Sequence, residues 1–165
     1  MTREAAPSDE IRAIETLKYR YLRAVDTKDW DGLAATLTED VHTDYGSQLG
    51  GRPLTFDDRD GVLAYFRKAM GGSLVTEHHV THPIIEVDAG DPTRATGSWY
   101  LQDRVIVPDY DMMIIGAAFY EDVYRKTADG WRIASTGYQR TFEATSKLSA
   151  IDFHLTRGPA IVRAS

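Results

Sequence analysis

Asp103 lies in the middle of an otherwise apolar face of a predicted strand. On a strand, alternate residues share a face, so Asp103 is grouped with Trp99, Leu101, Val105 and Val107. A buried carboxylate is costly unless it is paired, hydrogen-bonded or protonated. Two interpretations remain open: a structural ion pair or an outward-turning bulge, or a pocket carboxylate whose environment is tuned for chemistry.

Three of the five histidines lie in the segment Glu-His-His-Val-Thr-His at residues 77–82. In strand geometry His78 and His82 share one face, and His79 points to the other. Residues four apart on a strand are separated by roughly 13 Å, too far to bind one metal ion, so no metal site is predicted. Histidine is well suited to proton transfer near pH 7, although such a cluster alone is more typical of surface and packing.

Three further polar residues have ordinary interpretations when each is taken alone. Asp26 ends the first predicted helix about 120° from the centre of the apolar face, as expected of a solvated carboxylate. Tyr21 lies within that apolar face and is compatible with plain core, and Arg140 lies on the last predicted strand. The absence of Gly-rich phosphate loops, Walker patterns, Gly-x-Ser-x-Gly and His-Glu-x-x-His argues against nucleotide binding and serine hydrolase chemistry.

Composition excludes several classes of function. The 165 residues have the size of one domain, and the lack of cysteine excludes disulfides, thiolate metal sites and cysteine nucleophiles. A net charge of −6 without runs of Lys or Arg argues against nucleic acid and anionic membranes as partners. No apolar stretch approaches the roughly 20 residues of a membrane span, and the polar N-terminus lacks a signal-peptide core, so we expect a cytoplasmic protein.

Helical periodicity predicts three helices in the first half of the chain. Ser8 is the predicted N-cap of the first helix, and a short strand at 41–45 and a loop at 46–53 precede the third helix, at residues 57–70. The apolar positions of the first helix are Ile11, Ile14, Leu17, Tyr21, Leu22 and Val25, and those of the second are Trp30, Leu33, Ala34 and Leu37.

The second half of the chain is predicted to be β-structure, ending in a loop and tail at 144–165. Short turns between the strands favour antiparallel neighbours. Helices followed by strands indicate an α+β fold, a curved antiparallel sheet packed against three N-terminal helices, with a pocket on the concave side. The predicted strands are 74–88, 94–107, 112–125 and 131–143.

The pattern of the whole chain resembles SnoaL-like proteins of the NTF2-like superfamily. The resemblance is carried by Glu10-Ile-Arg-Ala-Ile-Glu-Thr-Leu-Lys-Tyr-Arg-Tyr-Leu-Arg-Ala-Val-Asp26 and by the segments 29–33, 76–88, 95–103, 116–122 and 129–140. It is closest to bacterial bile-acid 7α-dehydratases and more distant to scytalone dehydratase and hexachlorocyclohexane dehydrochlorinase. It implies a cone-shaped fold over residues 9–145, a flexible tail at 1–8 and a C-terminal extension at 146–165.

The resemblance also implies a set of site residues. The catalytic residues would be His78, Asp26 and Tyr21, and the substrate-binding residues would be Tyr45, Asp103 and Arg140. The histidine depends on the anchor: Pro83 and Asp88 select His78, whereas the His-x-x-His spacing selects His79.

The activity implied by the resemblance is removal of water from a hydrophobic hydroxylated substrate by His/Asp acid–base catalysis, without metal or organic cofactor. Alternatives are an isomerase or polyketide cyclase that uses the same pocket, or a ligand-binding protein without turnover. The implied partner is a hydrophobic small molecule, of steroid, polyketide or polycyclic type. A homo-oligomer, a dimer or trimer, is predicted separately, because a curved sheet covered by helices on its concave side leaves its convex side to be buried.

Overall fold

The computed structural model describes residues 8–47 and 51–158. Within these ranges no helix is long and apolar enough to cross a membrane. The helices are α1 (Ser8–Thr27), α2 (Trp30–Ala34) and α3 (Arg59–Ala69). The strands are β1 (Leu37–Ser47), β2 (Pro53–Phe56), β3 (Val75–Val87), β4 (Arg94–Val107), β5 (Met112–Thr127) and β6 (Gly130–Lys147).

The strands form one sheet in the order β2-β1-β6-β5-β4-β3. The long strands β3 to β6 follow one another as an antiparallel meander, because each is joined to the next by a short turn. β1 pairs in parallel with β6, and β2 pairs antiparallel with β1. The predicted α+β class, with three helices against a curved sheet, is confirmed; the sheet is mixed because of the single β1–β6 pairing.

The start of β1 corrects one predicted boundary. The sequence placed Leu37 in the second helix, but this helix ends at Ala34 and Leu37 opens β1. The Thr36 hydroxyl donates to the Leu33 carbonyl, 2.7 Å away, and the Thr36 carbonyl accepts the Ile133 amide of β6, 2.9 Å away. Pairing with β6 therefore takes over from helical hydrogen bonding, which makes β1 longer than the predicted strand at 41–45.

Two other segments are more regular than predicted. β2 lies where the sequence indicated the end of a loop, and Pro53 fits there because it is on an edge strand. β6 continues through residues 144–147, which were predicted to be loop, because they pair with the start of β5. Ser8, the predicted N-cap, already belongs to α1. Of the predicted tail at 1–8, residues 1–7 lie outside the described ranges, as do the last residues, 159–165.

The core lies between α1, α3 and the concave face of the sheet. The apolar face of α1 is buried as predicted, at Ile14, Leu17, Tyr21, Leu22 and Val25. A charged side chain interrupts this face: Lys18 is fully buried and its Nζ lies 2.8 Å from Asp122 Oδ2 of β5. Such a pair tolerates burial because each charge has its partner inside the protein.

Candidate active site

A cavity of about 210 Å³ opens between α1, α3 and the concave face of the sheet. Five of the six site residues proposed from the sequence line it, and Asp26 lies directly behind His78. Most of the remaining wall is apolar, as is usual for small-molecule sites. The five are Tyr21, Tyr45, His78, Asp103 and Arg140; the apolar wall includes Leu22, Val25, Leu54, Phe66, Met70, Leu74 and Val105.

His78 of the cavity wall is hydrogen-bonded to Asp26 behind it. The Nδ1 atom of His78 lies 2.6 Å from Asp26 Oδ1, and the His78 backbone amide donates to Asp26 Oδ2 at 2.9 Å. The carboxylate therefore holds both the backbone and the ring of one residue. With Nδ1 protonated and donating to Asp26, the Nε2 lone pair of a neutral imidazole is free to act as a base.

The helix end explains how Asp26 is positioned. It lies in the last turn of α1, where the helix dipole disfavours a negative charge. Its hydrogen bonds to β3 compensate: besides the two from His78, the Thr76 hydroxyl donates to Oδ1 at 2.8 Å. Asp26 thus ties the end of α1 to β3, and this side chain is not simply solvated, which was its ordinary interpretation.

Strand alternation separates the two neighbouring histidines. His78 points to the concave face and its side chain is 13% exposed, whereas the His79 side chain is 64% exposed and contacts Glu77. His78 lies directly opposite Asp103 on β4. It also lines an outer groove on the other side of the wall, where Asp26 reaches the surface. His79 lies in that groove and outside the cavity.

Asp103 and Arg140 form a bidentate ion pair at the cavity wall. Nη2 of Arg140 donates to Asp103 Oδ2 at 2.7 Å and Nη1 donates to Oδ1, and Nε lies 3.3 Å from Glu143. Burial is the largest single effect on Arg140 and opposes its charge, but the hydrogen bonding to Asp103 together with the electrostatic effects of Tyr138, Asp103 and Glu143 raises its pKa. The two interpretations of Asp103 are therefore compatible: it is half of an ion pair and also part of the pocket.

Phenol groups line the end of the cavity next to this pair. The hydroxyls of Tyr21 and Tyr45 are 2.6 Å apart. Burial raises the pKa of both, and the phenols of Tyr120 and Tyr138 are shifted in the same direction by the same cause. All four are therefore neutral hydrogen-bond donors near pH 7.

Tyr120 and Tyr138, on β5 and β6, were not among the site residues proposed from the sequence. The signal that could have found Tyr120 is alternation: on β5 the residues in register with the inward face of β4 are Gly116, Ala118 and Tyr120, opposite Asp103, Leu101 and Trp99. Thr76, which contacts Asp26, and Lys28, which contacts Thr76, were also not identified, and neither residue lines the cavity. Residues 8–47 and 51–158 contain no group of three or more side chains arranged to bind a metal ion.

Comparison with known proteins identifies relatives in sequence and in structure. The profile of the SnoaL-like domain matches residues 6–137. Uncharacterized protein Rv2910c of Mycobacterium tuberculosis is 28% identical over 121 residues, which cover 73% of this chain and 78% of that protein. Its activity is not described by that name, so the match adds a relative and no function.

Solved structures share the fold at low sequence identity. A scytalone dehydratase-like protein of Novosphingobium aromaticivorans superposes with a TM-score of 0.71 at 21% identity, covering 95% of this chain and 96% of that one. Kfla4162 of Kribbella flavida gives 0.72 at 23%, covering 82% and 93%. Hexachlorocyclohexane dehydrochlorinase LinA-type3 of Novosphingobium barchaimii gives 0.69 at 16%, covering 84% and 90%.

Proposed function

Since the chain belongs to the SnoaL-like domain family of the NTF2-like superfamily, we propose that it is a cofactor-independent dehydratase, a carbon–oxygen lyase. One observation carries the proposal: an imidazole held by a carboxylate, His78 on Asp26, opens onto an apolar cavity that contains neutral phenol donors. This combination supplies a base, a donor for a developing oxyanion, and an environment for a hydrophobic substrate.

In the proposed reaction, Nε2 of His78 removes a proton from a carbon next to a carbonyl or another activating group. Asp26 holds the opposite nitrogen and stabilises the imidazolium that forms. The electron pair of the broken C–H bond forms the new double bond and the C–O bond breaks. The departing hydroxyl leaves as water with the proton held by His78, passed directly or relayed through the Tyr21 hydroxyl and a water molecule, so that both side chains end neutral. General acid–base catalysis of this kind contributes about 10²–10⁴-fold.

Tyr21 and Tyr45 are proposed to hold the substrate oxygens. Their hydroxyls are already in contact, so one can donate to the other and the second to the substrate. A chain of two phenols strengthens the terminal donor. Negative charge on a carbonyl oxygen during proton removal would be stabilised by this pair.

The Asp103–Arg140 pair favours a neutral substrate. Both terminal nitrogens of Arg140 donate to Asp103, and Nε faces Glu143. A substrate carboxylate would have to displace a bound carboxylate of the protein, at the expense of a partly buried pair. We therefore propose that Asp103 and Arg140 bind hydroxyl or carbonyl oxygens with their remaining lone pairs and N–H groups.

Cavity size narrows the substrate further. Ligand pockets usually enclose roughly 300–1,000 Å³, and this cavity of about 210 Å³ is smaller. A compact hydroxylated compound with one ring or two fused rings, such as a small polyketide, fits this cavity better than a four-ring steroid. For this reason the sequence resemblance to bile-acid 7α-dehydratases does not set the proposed substrate.

Isomerisation and cyclisation need the same base and the same oxyanion donors, so they are the alternative outcomes. Incubation of the protein with a panel of neutral hydroxylated one- and two-ring ketones, followed by mass spectrometry and NMR of the products, distinguishes the three reactions. A dehydration product is lighter by one water and an isomer keeps the mass. A cyclised product, which can also lose water, is recognised in the NMR spectrum by its additional ring. Binding of panel members without any conversion by the wild-type protein would contradict an enzymatic role.

A further inference from the structure

The polar contacts behind His78 continue beyond Asp26. The Thr76 hydroxyl donates to Asp26 Oδ1 at 2.8 Å, and Nζ of Lys28 donates to the same hydroxyl at 3.1 Å. Thr76 is buried. Its hydroxyl oxygen accepts the hydrogen bond from Lys28, and its single hydroxyl proton is donated to Asp26. The result is a chain of four side chains, Lys28, Thr76, Asp26 and His78, that ends at the cavity.

Lys28 has an unusual backbone for a lysine. Its φ of 61° is in the left-handed region, where glycine or asparagine is usual. The amide of Asp29 bonds the Ala24 carbonyl at 2.9 Å and that of Lys28 faces Val25 O at 3.3 Å. This is the Schellman arrangement, in which the residue after the helix is most often glycine.

The ammonium of Lys28 is also partly removed from water. Burial lowers its pKa, and the neighbouring Asp26 charge opposes that shift. A glycine at position 28 would avoid the backbone strain of a positive φ. A lysine with a fully exposed side chain would avoid the cost of removing its ammonium from water. The chain nevertheless places a lysine here, with its ammonium donating a hydrogen bond to the Thr76 hydroxyl. A contribution to the site accounts for both features.

We propose that Lys28 and Thr76 are positioning residues of the His78–Asp26 pair. Together they fix Asp26 Oδ1 on Nδ1 of His78, so that the Nε2 lone pair points into the cavity. The proposal rests on the proposed function, because this orientation matters for a reaction only if His78 is its base. Neither residue contacts the substrate; both act through Asp26.

The test measures the tautomer of His78 by NMR of protein labelled with isotopic nitrogen in histidine. Lys28→Gly removes the ammonium and relieves the backbone, so the fold is kept. Thr76→Val removes the hydroxyl at nearly constant shape. We expect the fraction of His78 with its proton on Nδ1 to fall in both variants. For the best panel substrate we expect kcat to fall about tenfold at constant KM. This is the lower end of the roughly 10–100-fold loss seen when hydrogen-bond partners of metal-binding histidines are removed.

His42 is the internal control. Its Nδ1 lies 2.7 Å from Asp57 in an exposed pair, so its resonances should not respond to either variant. Lys28→Arg and Thr76→Ser keep the cation and the hydroxyl, and should retain the wild-type tautomer.

An unchanged His78 tautomer in Lys28→Gly would overturn the proposal, even if turnover falls. This measurement decides the question on its own if the Thr76→Val protein does not fold. The two proposals can also fail separately. If the His78 tautomer changes in the variants but the wild-type protein converts no panel compound, the dehydratase function is contradicted and the positioning role still holds.

Discussion

Arg140 on β6 reaches Asp103 on β4 by crossing β5 at Gly116. In the register of the sheet Asp103 is directly opposite Gly116, and Arg140 is opposite Ala118. The two charged side chains are two strands apart, and they meet because the residue between them has no side chain. A Cβ at position 116 would lie 2.5 Å from Nη1 of Arg140 and 3.0 Å from the carbonyl oxygen of Phe142.

Gly116→Ala should therefore separate the ion pair. Overpacking of this kind costs about 1–3 kcal/mol of the free energy of unfolding, and denaturant titration measures it. Turnover should fall as well, since Arg140 would move out of the cavity wall. Gly90→Ala is the matched control, because its added Cβ meets only Asp88 Oδ1 at an ordinary 3.5 Å. Equal stability of the two variants would contradict this account of Gly116.

Removal of either member of the His78–Asp26 pair should give non-additive losses. Asp26→Asn is expected to lower turnover by roughly 10²–10⁴-fold, as for orienting carboxylates elsewhere. His78→Ala should cost at least as much, and the double variant should be scarcely worse than His78→Ala, because the two residues act as one unit. His79→Ala, outside the cavity, should keep nearly full activity. A well-folded Asp26→Asn protein with wild-type turnover would rule out the pair as the catalytic base.

The buried Lys18–Asp122 pair should be sensitive to loss of one partner. Lys18→Met leaves Asp122 charged and fully buried, which costs about 3–5 kcal/mol of the free energy of unfolding. The Asp122 carboxylate would keep its hydrogen bonds from Tyr124 and Thr136, of 2.7 and 2.6 Å. Adding Asp122→Asn removes the uncompensated charge and should restore part of the loss. Additive losses in the double variant, measured by chemical denaturation, would show that the pair is not coupled.

Alkaline pH should destabilise the protein through its buried phenols. Burial raises the pKa of Tyr21, Tyr45 and Tyr120. The stabilisation that comes from these raised pKa values is fully present below the pKa of tyrosine in the unfolded chain, about 10. It is lost as pH rises further, because the unfolded chain then releases protons that the folded chain retains. Lys18, whose pKa burial lowers, acts in the opposite direction.

The comparison of Tyr21→Phe with wild type isolates one of these phenols. The fall in the free energy of unfolding between about pH 9 and 11 should be shallower in the variant. Tyr110→Phe, at an exposed position, should leave the slope unchanged. A wild-type stability that does not change over this interval would contradict the prediction.

We also propose that the chain forms a homo-oligomer, a dimer or trimer, through the convex face of the sheet. Large apolar side chains are exposed on neighbouring strands there, as at interfaces; they are Ile115, Phe119, Val123 and Phe142. Light scattering at micromolar concentration should give a multiple of the monomer mass, and Phe119→Glu should reduce it. A monomeric wild-type protein would be contrary to this proposal.

Local signals account for most of the predicted secondary structure. Alternation and short turns place β4 at the predicted residues and β3, β5 and β6 within a few residues of prediction, because those strands pair with their neighbours in the chain. The β1–β6 pairing joins residues almost a hundred positions apart, and no local pattern marks it. This pairing is what removes Leu37 from the second helix.

The same distinction between local patterns and long-range contacts applies to the candidate site. Residue types and resemblance identify the residues that face the cavity, since alternation decides between His78 and His79. The partners behind the wall depend on the crossing of α1 over β3. Lys28 and Thr76 are 48 residues apart in sequence, and nothing in either segment indicates the other. The Asp103–Arg140 contact likewise depends on the register of three strands.

The placement of His78 between the cavity and the outer groove has a consequence for isotope labels. Asp26 and the outer groove contact the Nδ1 side of the ring, whereas the proton taken from carbon is held on Nε2, on the cavity side. An imidazolium that loses its Nδ1 proton toward the groove therefore keeps the transferred hydrogen. In the proposed reaction a deuterium atom removed from carbon would return to the same molecule, or leave with the hydroxyl, before it is diluted into the solvent. Substrate recovered from an incomplete reaction in heavy water would carry little solvent deuterium at the carbon that faces Nε2.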